Sequence, residues 1–99
     1  MARIEYAPEV IDDFDRIFDY VGQTAPAEAP DRIAELLAGV QILSHSPLIG
    51  RPFRDGKREL VIGRGSRGYV ALYRYVPSID TVFILAFRSQ REGGFRRER

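Results

Sequence analysis

Ninety-nine residues, 44% apolar and 29% charged, suffice for one globular domain with a modest core, and the balance is wrong for a disordered chain. The absence of cysteine and the presence of a single histidine exclude disulfides, thiolate chemistry and a histidine-rich zinc site. The net charge of +1 hides an asymmetry: residues 1–50 carry three basic and nine acidic side chains, a net of −6, whereas residues 51–99 carry twelve basic and five acidic, a net of +7. A chain divided in this way expects an acidic partner for its basic half, either a protein segment or a nucleic acid. No apolar run approaches a membrane span and the opening MARIEYAPEV lacks the apolar stretch of a signal peptide, so a cytoplasmic protein without membrane contact is expected.

In chain order, Arg3-Ile4-Glu5-Tyr6 alternates polar and apolar residues and predicts a short edge strand. Pro8 suits the first turn of a helix, and Val10, Ile11, Phe14, Ile17, Phe18 and Val21 then recur at helical spacing, with Gly22 as the stop. Glu9, Asp12, Asp13, Asp15, Arg16 and Asp19 fill the other side, which reads as a solvated face rather than a metal site. Gln23 to Ala29 is a linker with one proline inside it and Pro30 just beyond. Pro30 predicts the first turn of a second helix, whose stripe is Ile33, Leu36, Leu37, Val40 and Leu43. Ser44-His45-Ser46-Pro47 ends it, with His45 beside the last carbonyls.

Leu48 to Lys57 reads as a loop with an Asp55-Gly56 turn, and Arg58 to Ile62 as a strand. Gly63-Arg64-Gly65-Ser66-Arg67-Gly68 has the composition of a phosphate cradle. It joins two strands, however, and lacks the helix N-terminus that an anion site of that kind uses. Tyr69 to Val76 and the unbroken apolar run Val82 to Phe87 form the centre of the sheet, joined by a Pro77-Ser78-Ile79-Asp80 turn into an antiparallel hairpin. Tyr69, Tyr73 and Tyr75 share one face by their period of two, which predicts packing against the helices rather than a base-stacking platform. Residues 93–99 are too polar to fold alone and are expected to fray as a basic tail. The expected fold is α+β in the order β-α-α-β-β-β, one domain over 1–99 with a helical hairpin packed on a small antiparallel sheet.

The motifs Tyr6-Ala7-Pro8-Glu9, Ser46-Pro47-Leu48-Ile49-Gly50-Arg51-Pro52, Arg58-Glu59-Leu60, Gly68-Tyr69-Val70 with Tyr73-Arg74, and Ile84-Leu85-Ala86-Phe87-Arg88 running into Gln90-Arg91-Glu92 occur in this order. Together they resemble the RelE/ParE superfamily of toxins from bacterial type II toxin–antitoxin modules over nearly the whole chain, and the ParE branch in particular. The resemblance implies the same β-α-α-β-β-β fold. RelE-like members cut messenger RNA on the ribosome, which needs a base for the 2′-hydroxyl, an acid for the leaving oxygen and cations on the phosphate. Here Val70 stands where RelE-like chains have an arginine, Ser89 where a histidine is frequent, and Phe95 where a tyrosine could donate a proton. Arg58, Arg64, Arg74 and Arg91 remain as the catalytic candidates of that alternative, yet arginine stays protonated and cannot act as a base.

That departure favours the ParE-like expectation, a toxin that traps DNA gyrase and needs a binding surface rather than an active site. The surface expected for it is Arg88, Gln90, Arg91 and Phe95 at the end of the last strand, with Arg58, Arg64, Arg67 and Arg74 beside them. Cross-strand pairing with Glu59 or Glu92 is the other expectation for Arg58 and Arg74. The partners implied are a cognate antitoxin, with which the toxin assembles, and DNA gyrase as target, with direct nucleic-acid binding disfavoured and neither cofactor nor metal. The antitoxin is expected to lay an apolar helix beside the helical hairpin and bring acidic residues to the basic sheet. The further alternatives are the messenger-RNA endonuclease and a non-toxic module that acts only with its antitoxin.

Overall fold

A computed structural model describes residues 1–95. In chain order the elements are β1 (Arg3–Tyr6), α1 (Val10–Thr24), α2 (Ala29–Gly39), β2 (Arg51–Pro52), β3 (Arg58–Ile62), β4 (Tyr69–Val76) and β5 (Thr81–Ser89), with short 3₁₀ turns between them. The strands form one sheet in the order β1-β5-β4-β3-β2. Strands β2 to β5 pair antiparallel, and β4 and β5 form the predicted hairpin through Pro77–Ile79. No helix among the described residues is long and apolar enough to cross a membrane.

The fold is the expected α+β arrangement, but the sheet is mixed rather than wholly antiparallel. Strand β1 runs parallel to β5, from Arg3 opposite Thr81 to Tyr6 opposite Ile84. Alternation within a strand fixes which side chains share a face and says nothing of direction, and the whole chain between β1 and β5 is available as a crossover. Strand β2 lies in the stretch read as loop. Two residues carry no periodicity, and Pro52 is tolerated because it is on an edge. Of the expected tail, residues 96–99 lie outside the described residues, while Phe95 is half-buried.

Both helix boundaries of α1 differ from the reading by about two residues. Pro8 lies in the turn before the helix, whose first residue donates from Val10 N–H to the Ala7 carbonyl at 3.0 Å. At the other end the helix passes through Gly22 to Thr24 because Ala25 N–H closes the last turn onto Val21 O at 2.7 Å. Pro30 sits in the first turn of α2 as predicted. After Gly39 the chain tightens into a 3₁₀ turn, Val40–Ser44. A side chain at Gly39 would come 2.7 Å from Cγ2 of Ile62, so glycine there lets α2 settle close on β3.

The helices bury one face of the sheet. Val10, Ile17 and Val21 from α1, Leu36 from α2, and Val40 and Leu43 after it meet Tyr69, Ala71, Tyr73, Val82, Ile84 and Phe87. The tyrosines therefore pack against the helices. Leu72 lies opposite Ala86 but Tyr73 lies opposite Ile84, so Leu85 is an extra residue in β5. This bulge shifts the alternation, and Val82 and Ile84 face the helices before it whereas Phe87 faces them after it.

The aspartate face of α1 is not uniformly wet. Asp13 is 1% exposed, and it accepts the Phe87 N–H at 2.9 Å and an Arg16 Nη1–H at 2.8 Å. Strand β1 pairs with β5 only as far as Ile84, and beyond that point α1 supplies what a strand would have. Asp13 takes the Phe87 N–H, and Arg16 Nη2 donates to the Phe87 carbonyl at 3.0 Å. Helical periodicity cannot distinguish such a carboxylate from its solvated neighbours.

Candidate functional site

The sheet face away from the helices carries a group of cations and aromatic rings. Val70, Leu72 and Ala86 point to it and are as buried as the main core, at 0%, 2% and 3% exposure. The side chains available above them are charged and aromatic. Glu59 on β3 accepts Arg51 Nε at 2.9 Å through one carboxylate oxygen, and its other oxygen lies 3.8 Å from Arg88 Nη2. Arg88 also donates from Nη1 to the Ser89 and Glu92 carbonyls, each at 3.1 Å, while its Nε is buried with no hydrogen-bond partner among the described residues. The Phe95 ring lies against it, 5.0 Å from the guanidinium carbon, and meets Phe53 edge-on at 6.2 Å. Arg54 lies 5.2 Å from the Phe53 ring centre. The face is thus a cationic and aromatic surface in which one carboxylate is enclosed by two arginines.

A second basic feature lies on the helix side, where the C-terminal half of α1 meets the end of the sheet. A cavity of about 390 Å³ opens there. Arg16 is the hub of its wall, bound to Asp13 and to Glu92 at 2.9 Å. Burial opposes the Arg16 charge, but the hydrogen bonds to Asp13 and Glu92 outweigh it and hold the guanidinium above its ordinary value. Glu92 also accepts the Ser89 N–H at 2.8 Å, which fixes the turn after β5. Arg91 reaches across to the Tyr20 hydroxyl at 2.9 Å, and Arg32 and Arg67 share Glu28 at 3.0 and 3.6 Å. Burial pushes the Tyr69 hydroxyl above its usual range, while Arg32, Arg67 and Arg91 pull it down and Glu35 adds to the rise.

The eight residues expected at the site do not form one surface. Arg88, Phe95 and Arg74 share the open face, with Arg74 opposite Phe83 and near the Asp55–Gly56 turn, where a side chain on Gly56 would come 3.0 Å from its Nη1. Arg67 and Arg91 line the helix-side cavity. Arg64 is exposed in the β3–β4 turn, and Gln90 is half-buried with its N–H on the Gly68 carbonyl at 2.9 Å. Arg58 lies opposite Tyr73 and donates to the Gly50 and Leu48 carbonyls at 2.8 and 3.2 Å, so it clamps the loop before β2. Glu59 pairs with Arg51 and Arg88, and Glu92 with Arg16, instead of with Arg58 or Arg74.

Sequence reasoning missed Arg51, Phe53, Arg54 and Glu59 on the open face, and Arg16, Tyr20 and Arg32 at the cavity. The Arg-rich stretch 51–58 was a signal for the first group. No signal marked the second, since Arg16 and Arg32 look like ordinary helix-surface residues.

Residues 4–93 match the family described as ParE toxin of type II toxin–antitoxin system, parDE. Among solved structures, the chain is similar to the chromosomal ParDE toxin–antitoxin system from P. aeruginosa, at 22% identity and a TM-score of 0.75 over 90% of this chain and 96% of that one. It is also similar to a RelBE toxin–antitoxin complex from Mycobacterium tuberculosis, at 23% identity and a TM-score of 0.60 over 90% and 98% of the two chains. The intact E. coli RelBE toxin–antitoxin complex follows at 14% identity and a TM-score of 0.54, over 93% and 100%. Among curated proteins none matches the chain in sequence. These likenesses establish the fold.

Proposed function

Because this chain belongs to the ParE toxin family of type II toxin–antitoxin systems, we propose that it arrests growth by holding DNA gyrase on broken DNA, and that a cognate antitoxin neutralises it. Gyrase is bound by the open sheet face, through Arg88 and Phe95 with Arg51, Arg54 and Arg74 around them. The observation that carries this reading is the environment of Glu59. A ribonuclease of this fold would need a group able to take the proton of a ribose 2′-hydroxyl. Glu59 is the carboxylate at the centre of the face, and it is 9% exposed with both oxygens turned to guanidinium groups. The groups around it are arginines, a side chain that holds charge and does not serve as a base. What is left is a surface that grips a partner and performs no turnover.

Cationic and aromatic groups packed in this way suit an interface anchor, since desolvated arginines and aromatic rings are the side chains that most often dominate binding energy. The decisive experiment is a gyrase supercoiling and DNA-cleavage assay with purified protein, with and without its antitoxin. Linear DNA should accumulate, and the accumulation should disappear when antitoxin is added. Unchanged supercoiling at concentrations that still arrest growth overturns the proposal. Cleaved transcripts under those conditions would transfer the activity to the ribosome.

A further inference from the structure

Past Ile84 the edge of β5 has no β1 residue beside it, and side chains take the place of a strand. Backbone groups that face one neighbour belong to alternate residues of a strand. Here Asp13 accepts the Phe87 N–H at 2.9 Å, Arg16 donates to the Phe87 carbonyl at 3.0 Å, and Glu92 accepts the Ser89 N–H at 2.8 Å. The three side chains are joined to one another. Arg16 donates from Nη1 to Asp13 at 2.8 Å, and from Nε and Nη2 to the two carboxylate oxygens of Glu92 at 2.9 and 3.2 Å. Between Phe87 and Ser89 stands Arg88, which donates from Nη1 to the carbonyl of Glu92 at 3.1 Å. Glu92 is thus fastened to α1 by its carboxylate and to Arg88 by its backbone. We propose that Glu92, seated on Arg16, is a positioning residue for target binding: it holds the turn after β5 so that Arg88 and Phe95 are presented as one preformed anchor. This rests on the reading of the open face as the target surface.

The sheet does not depend on the Glu92 part of this clasp. Val70 lies opposite Arg88 and Tyr69 opposite Ser89, so β4 holds the end of β5 from its other side. The segment after the strand is what depends on it. Gln90 N–H reaches the Gly68 carbonyl at 2.9 Å and Glu92 N–H the Ser89 carbonyl at 3.2 Å. Then come Gly93 and Gly94, where an added side chain would meet nothing within 4 Å, and then Phe95. Glycine loses more conformational freedom on ordering than any other residue. A ring beyond two glycines is therefore held no better than the residue before them. That ring lies 5.0 Å from the Arg88 guanidinium carbon and 6.2 Å from the Phe53 ring. An anchor that had to be ordered during binding would lose affinity to that ordering, whereas a preformed one does not. Removing the Glu92 carboxylate strands no buried charge, because Glu92 is a quarter exposed and Arg16 keeps Asp13 and the Phe87 carbonyl. Folding and presentation of the anchor are separable at this residue.

The test joins the gyrase cleavage assay to NMR of isotopically labelled toxin, in Glu92→Ala, Phe95→Ala and the double variant. Circular dichroism and urea midpoints establish that each is folded. Glu92→Ala should keep a cooperative transition, lose the nuclear Overhauser contact between the Phe53 and Phe95 rings, and show faster motion of the amides of residues 90–95. The toxin concentration that gives half-maximal linear DNA should rise about tenfold or more in each single variant. The double variant should exceed the worse single by less than about threefold, since Glu92 acts through the ring. Glu92→Gln keeps an oxygen for the Ser89 N–H and should recover part of the loss. A residue serving stability alone would weaken the toxin only in proportion to its unfolded fraction and leave the ring contact intact. The proposal fails if that contact survives in Glu92→Ala, or if Glu92→Ala poisons gyrase within about threefold of the unmodified toxin. It fails if the two single losses multiply in the double variant, which would put Glu92 itself on the target. It fails too if neither Glu92→Ala nor Glu92→Gln folds, because the clasp would then belong to the core. An unmodified toxin without effect on gyrase overturns the gyrase reading alone, and growth arrest at graded expression then reads the same set of variants.

Discussion

The two faces of the sheet are built from the same strands, and the residues at the centre of each are equally buried, but by opposite means. On the helix side Tyr73, Phe87, Ile84 and Val82 lie beneath Leu36, Leu43 and Val10, an apolar layer on an apolar layer. On the open side Val70, Leu72 and Ala86 are closed off where Glu59, Arg88, Phe53 and Phe95 gather. Apolar burial contributes roughly 25 cal/mol for each Å² removed from water. A buried arginine–carboxylate pair contributes little net stability, because desolvation offsets most of its Coulomb attraction. The open face thus forgoes stability that an apolar cover would supply, and it gains a fixed array of cations and rings. That contrast separates the face that makes the fold from the face that meets a partner.

The comparison is tested most severely by Asp13, a carboxylate on the helix side that is as buried as the core. Asp13→Ala would leave Arg16 short of a partner and the Phe87 N–H without an acceptor. A loss of about 3 kcal/mol in folding free energy is expected, by urea denaturation, since the buried Phe87 N–H loses its acceptor while Arg16 falls back on Glu92 and the Phe87 carbonyl. A loss below about 1 kcal/mol would mean that polar groups do not hold this side. The next largest effect is expected at Gly50. A side chain there would lie 2.6 Å from the Tyr73 ring and hydroxyl and 2.7 Å from the Glu59 carbonyl, and neither a buried ring nor the backbone can retreat. Gly50→Ala should cost about 1–3 kcal/mol.

A smaller effect is expected from the hydroxyl of Tyr73, which accepts the Gly50 N–H at 2.9 Å and donates to the Pro47 carbonyl at 2.8 Å. Burial raises its pKa above the ordinary tyrosine value of about 10, against the weaker pull of the Gly50 hydrogen bond and Arg58. The unfolded chain therefore loses this proton first. The associated stability is intact below a pH of about 10 and falls as pH rises through the higher folded value. Urea midpoints measured on either side of that pH should diverge less in Tyr73→Phe than in the unmodified protein. Equal divergence would remove the hydroxyl from the account of the helix side.

How far the sequence exposes this division depends on the range of the interactions. The period-two tyrosines and the helical stripes announce the apolar side, because local alternation and burial coincide there. The direction of β1 was not legible, since its partner Ile84 lies 78 positions away from Tyr6 and nothing in four residues encodes parallel pairing. The open face was half legible. Arg88 and Phe95 stand out beside the last strand, but Arg51 and Phe53 are placed by a two-residue strand with no pattern of its own, and Glu59 gains its arginine partners from β2 and β5. Arg58 shows the opposite error: its position in a basic stretch suggests a surface cation, whereas the register turns it toward Tyr73 and the Gly50 carbonyl.

The smallest change in stability is expected from the substitution that should matter most to function. Arg88→Met with Glu59→Leu replaces the enclosed ion pair by apolar groups of similar size and removes the buried Nε that has no partner among the described residues. Such replacements are commonly neutral or stabilising by a few kcal/mol, so the double variant should unfold within about 1 kcal/mol of the unmodified protein or above it. Arg88→Met alone should do worse than the pair, because Glu59 would keep only Arg51 for its charge. If the open face is the gyrase surface, the double variant will be at least as stable and will no longer accumulate linear DNA in the cleavage assay. A double variant that loses several kcal/mol while the folded fraction still poisons gyrase would mean that Arg88 and Glu59 belong to the fold as fully as Asp13 does. The two faces would then differ in composition without differing in purpose.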